Sequence, residues 1–102
     1  MITLDQLPYW AHEIGVNCRT VGYPHSPEQQ TLCLAEEAGE AVGAIRRYLG
    51  LARRPGTIGE AGAELADVVI AAFVAADALD IDLSKAVSDK LGVVITRGWR
   101  QP

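Results

Sequence analysis

Apolar residues along the chain recur at spacings of three and four, and no stretch alternates with period two, so the pattern predicts helices and no strands. Start signals divide it into four. Thr3-Leu4-Asp5-Gln6 reads as a capping box, in which a hydroxyl and a residue three further on satisfy amides at a helix start. Ser26-Pro27-Glu28-Gln29 repeats the device, with Pro27 at the first helical position, where its missing N–H costs nothing. Thr57-Ile58-Gly59-Glu60 gives a third, and Asp82 before Leu83 a fourth. The helices are expected at about residues 3–16, 27–49, 58–79 and 82–98, with Gly15 and Gly50 as stops. Residues 22–27 (GYPHSP) and 53–56 (RRPG) read as connectors. The predicted fold class is all-α: one four-helix, bundle-like domain over residues 1–102.

With 102 residues there is room for one domain only, and a partner subunit would add useful stability at this size. An apolar fraction of 49 % with 22 % charged residues excludes a disordered chain. Nine basic against thirteen acidic residues, net -4, argues against a protein that coats nucleic acid or an anionic membrane. The longest apolar run, Val68 to Ala76, is broken by Asp77 and is far shorter than the ~20 residues of a membrane span. Cys18 and Cys33 form no CxxC pair and read as reduced thiols, which together with an N-terminus lacking a signal pattern predicts a cytoplasmic protein.

The acidic residues carry the candidate chemistry. The second helix contains Glu36, Glu37 and Glu40, and the third contains Glu60, Glu64 and Asp67. Positions three or four apart share a helix face, so these carboxylates crowd one another. A solvated acidic face interleaves Lys or Arg at that spacing. Around Glu36, Glu37, Glu40, Glu64 and Asp67 the positions three and four away hold only Leu, Cys, Ala, Gly, Val, Ile or another acid. The faces continue through Ala41 and Ala44 in one helix and Ala71 and Val74 in the other, which turns the acids toward space between helices. Unpaired carboxylates there are costly, and a divalent cation removes the cost. An all-oxygen set selects Mg²⁺, with Mn²⁺ as substitute. A di-iron bundle needs Glu-x-x-His pairs, and neither His12 nor His25 belongs to one. Gly39, Gly43, Gly59 and Gly62 reduce helix propensity, and close approach of helix backbones is their expected compensation.

Glu37-x-x-Glu40 and Glu64-x-x-Asp67, in the contexts LAEEAGEAVGAIR and ELADVVIAAFVAADALDIDLSKAV, resemble the MazG-like all-α nucleoside triphosphate pyrophosphohydrolases. That superfamily includes the dimeric dUTPases and the phosphoribosyl-ATP pyrophosphohydrolases, and the similarity runs from about Ser26 to Trp99. The resemblance implies a helical protein assembling as a homodimer or a dimer of dimers (a homotetramer). It implies hydrolysis of a nucleotide substrate between the α and β phosphorus, giving monophosphate and pyrophosphate. By position, Glu37, Glu40, Glu64 and Asp67 would be the Mg²⁺ ligands. Glu36 and Glu37 are the catalytic candidates, Glu36 to orient or deprotonate the attacking water. Lys90 and Arg97 would meet phosphate, although Val94 stands where many relatives carry Asn.

Other residues have weaker claims. Arg46, Arg47, Arg53 and Arg54 suit a solvated helix end, with phosphate contact as the second reading. Trp10 and Tyr9 could stack on a base, but aromatics in a first amphipathic helix are expected in the core. Trp99 is expected in packing or an interface. Phosphoribosyl-ATP, another nucleotide-like substrate, and a non-catalytic helical dimerisation or binding module are the competing functions.

Overall fold

The computed structural model describes residues 1–98, and Trp99 lies outside them. Four α-helices follow in order, α1 (Leu7–Thr20), α2 (Pro27–Tyr48), α3 (Ile58–Ala78) and α4 (Leu83–Arg97), with a 3₁₀ turn at Leu4–Gln6 leading into α1. No strand occurs among the described residues. All four expected caps form. Thr3 N–H donates to Gln6 Oε1 at 2.9 Å. Ser26 Oγ accepts from Gln29 N at 3.1 Å, Thr57 Oγ1 from Glu60 N at 3.1 Å, and Asp82 Oδ1 from Lys85 N at 3.0 Å. Each satisfies an amide that the helix itself leaves unpaired.

The stops differ in one place. Gly50, at φ 76°, ends α2 as expected, with Leu51 N–H reaching back to Arg46 O at 2.9 Å and Gly50 N–H to Arg47 O at 3.2 Å. Gly15 does not end α1. The helix runs through it to Thr20, and Gly22, at φ 85°, is the stop: Tyr23 N–H bonds Cys18 O at 2.8 Å. Asp80 takes the same left-handed position after α3, at φ 56°, with Ile81 N–H on Ala76 O at 2.9 Å. Aspartate tolerates that region better than most side chains do.

Helix α3 is the centre. Helix α2 packs along it most extensively and α1 less so, whereas α4 has no extensive contact with any of them. The bundle within one chain is therefore α1–α3, and α4 stands outside it. The buried apolar residues are Ala11, Ala41, Ala44, Ala61, Val74, Ala75 and Ala76, small side chains that let helices approach closely. The glycines do not perform that role. A Cβ at Gly39 or Gly62 would meet nothing, and at Gly43 or Gly59 only a side-chain atom 3.5–3.8 Å away. Alanines, which keep helix propensity, make the α2–α3 contact instead.

Among the described residues no large side chain is fully buried, and many large apolar residues remain in solvent. On α4 these include Val87, Leu91, Val93 and Ile95. Tyr9 and Trp10 are exposed too, packed edge to face with ring centroids 5.0 Å apart, so neither joins the core. The reason is that α1 turns only its Ala11 and Gly15 edge fully inward.

Candidate metal centre

The α2–α3 contact sets the acidic residues. Glu37 and Glu40 lie one turn apart on α2, and Glu64 faces them from α3. One carboxylate oxygen from each of Glu37, Glu40 and Glu64 lies within 4.8 Å of the others, and among the described residues this is the one group of three or more metal-ligating side chains that close. Glu37 and Glu64 are half-buried and Glu40 is exposed, so the cluster opens to solvent on one side. Oε2 of Glu37 and Oε2 of Glu64 are both buried without a hydrogen-bond partner.

Two buried anionic oxygens with no donor are an unsatisfied pair of the kind folded proteins avoid. The electrostatics agree. Partial burial first, then the negative charges of Glu40, Asp67, Glu64 and Glu36, push the Glu37 carboxyl above the usual glutamate range. Among the described residues no arginine or lysine pairs with these acids; the ion pairs there join His12 and His25 to Asp77, and Lys85 to Asp89. The donor set fits a hard divalent cation, since carboxylate oxygens alone converge and neither imidazole nor thiolate is among them.

Asp67 is not a member of the close triad, although its charge is felt at Glu37. Three positions beyond Glu64, it lies one turn along α3, exposed. Glu36 is likewise exposed beside the triad. Among the described residues Lys90 and Arg97 form no ion pair with the acids, and α4 has no extensive contact with α2 or α3. Lys90 instead borders an apolar groove on α4 with Leu83, Val87, Leu91 and Val94. Nothing in the packing joins Trp10 to the cluster. Arg46 donates from Nη2 to Leu51 O at 3.1 Å, and the side chain of Arg47 lies where a Cβ on Gly56 would meet it at 2.8 Å, so both close the end of α2.

Sequence reasoning missed a second polar cluster. Asp77 on α3 receives His12 Nδ1 on Oδ1 and His25 Nε2 on Oδ2, each at 3.0 Å. Burial works to raise the Asp77 carboxyl, but the hydrogen bonds and charges of His25 and His12 outweigh it and hold it below the usual aspartate range. The available signal was an acid that interrupts the longest apolar run.

Comparison with family models, curated proteins and solved structures finds no match for the chain. No helix among the described residues is long and apolar enough to cross a membrane.

Proposed function

We propose that this chain is a Mg²⁺-dependent nucleotide pyrophosphohydrolase that cleaves a (d)NTP between the α and β phosphates to (d)NMP and pyrophosphate, as nucleotide-pool housekeeping. The observation that carries the reading is the pair of buried, unpartnered oxygens of Glu37 and Glu64, closed on Glu40. Glu37, Glu40 and Glu64 would hold the cation, with Asp67 adding charge from the next turn. Magnesium bound there supplies neutralisation of phosphate charge and acidification of water. Glu36, exposed next to Glu37 in sequence, would take a proton from the attacking water.

Assembly belongs to the same reading. The chain exposes 7569 Å², against about 5,600 Å² for a compact monomer of this mass. Its radius of gyration is 15.8 Å, against about 13 Å for a compact chain of this length. The exposed Val87, Leu91, Val93 and Ile95 of α4 contribute to the excess. A homodimer, or a homotetramer built from two, buries it and can bring Lys90 and Arg97 of α4 toward phosphate.

The test is incubation with each dNTP and NTP, with and without Mg²⁺, and identification of the products. Pyrophosphate with monophosphate, only with the metal, supports the reading; orthophosphate overturns it. Turnover confined to phosphoribosyl-ATP moves the substrate and keeps the site. No turnover, with an unchanged oligomer, favours the non-catalytic module, a reading that the exposed apolar face of α4 also suits.

A further inference from the structure

We propose that residues 21–26, between α1 and α2, form a strap, buckled by the His25 ring against α1 at Gly15 and caught by Asp77, that opens and closes as a unit while α2 and α3 stay packed. The catch is one carboxylate serving two rings. Asp77 Oδ2 is 3.0 Å from His25 Nε2, and Oδ1 is 3.0 Å from His12 Nδ1. An ionised carboxylate only accepts, so each neutral ring donates the nitrogen that faces it, and the clasp fixes both tautomers. The buckle is steric. A Cβ on Gly15 would lie 2.5 Å from His25 Nε2 and 2.8–2.9 Å from its two flanking carbons. Only glycine leaves room for the ring, which accounts for a glycine inside α1 rather than at its end.

The strap has the means to open separately. His25 is deeply inserted, its side chain 2 % exposed, whereas Val21, Gly22, Tyr23 and Pro24 are all exposed. Withdrawing the ring therefore uncovers little besides the imidazole. Gly22, at φ 85°, supplies a pivot at one end, and the Ser26 cap of α2 stands at the other. One feature opposes closure: His25 Nδ1 is buried without a partner, a deficit that water would remove in the open form. The charged groups bordering the same cavity of about 240 Å³ are Arg19 from α1 and Asp80 from the turn after α3. Because His25 immediately precedes Ser26, unbuckling also loosens the first turn of α2.

Amide hydrogen exchange on the full chain tests this. Asp77→Asn and Gly15→Ala should each speed exchange at Val21, Gly22, Tyr23, Gln29 and Gln30 by about tenfold or more. His12→Ala, which removes a donor from an exposed ring, should give a smaller change in the same direction, and the α3 amides of residues 64–75 should keep wild-type rates in all three. Equal acceleration along α3 would make the cluster part of the global core and overturn the strap. Wild-type rates at residues 21–30 in Asp77→Asn and Gly15→Ala would overturn it as well.

Discussion

Glu37 and Glu64 meet across the α2–α3 contact with carboxylate oxygens within 4.8 Å, and each keeps its Oε2 buried and unbonded. Two like charges in that position oppose the packing that brings them together. The helices close because the alanines around them bury well, and the electrostatic penalty left at the site is what the proposed cation would relieve.

Cation binding should therefore stabilise the fold. A ligand that binds only the folded state adds about 2.7 kcal/mol at a hundred times its Kd. Thermal unfolding of the wild type should move upward with added Mg²⁺ or Mn²⁺ and return with chelator. Glu64→Gln should unfold no lower than the wild type without metal, since it removes repulsion, and should lose the metal-dependent rise. A full rise in that variant would show the ion elsewhere.

The triad also ranks the acids. Glu40→Gln should abolish turnover with helicity unchanged by circular dichroism. Asp67→Asn, outside the close set, should lower metal affinity or activity by about 10–100-fold, the range for groups that act around a ligand shell. Wild-type rates in both variants would remove the assignment.

Two carboxyls should leave opposite marks on stability against pH. Glu37 is raised by burial and its acidic neighbours, so between the ordinary glutamate value of about 4.3 and its higher folded value the folded chain holds more protons than the unfolded one. Stability should fall as pH rises through that window, and Glu37→Gln should flatten the slope. Asp77 is lowered, because its histidine hydrogen bonds outweigh its burial. Its contribution is complete above about 3.9 and lost as pH falls through its lower folded value. Asp77→Asn should remove that acid limb. Denaturant titrations at a series of pH values, without metal, read both.

Leu91 and Val87 lie one turn apart on α4, each half-exposed, on a helix without extensive contact to the rest of the chain. Val87→Glu or Leu91→Glu should shift the assembly toward monomer in light scattering and lower the unfolding temperature. In a protein that is already monomeric, a surface substitution of this kind stays within about 0.5 kcal/mol, and that result would remove the proposed interface.

Much of this fold was legible in the sequence because caps are local. Ser26, Thr57 and Asp82 each accept from an amide three residues on, and Gln6 reaches back three residues to the Thr3 amide, so spacing alone located the starts of α2, α3 and α4 and of the turn leading into α1. Spacing likewise placed Glu37 beside Glu40. The choice between Gly15 and Gly22 as a stop was not local. Both can end a helix, and the ring of His25, arriving from beyond the turn, explains why a glycine stands inside α1 at position 15. The same holds for the acids, since the rotation of α3 against α2 decides that Glu64 closes on the pair and Asp67 lies a turn away. Asp77 joins partners 65 and 52 residues distant, a relationship no periodicity encodes. The chain's pattern thus determined which stretches are helical and which faces are apolar. Tertiary packing decided which faces meet, because a helix carries its hydrogen bonds within itself while its side chains find partners only through the rotation and approach of a neighbour.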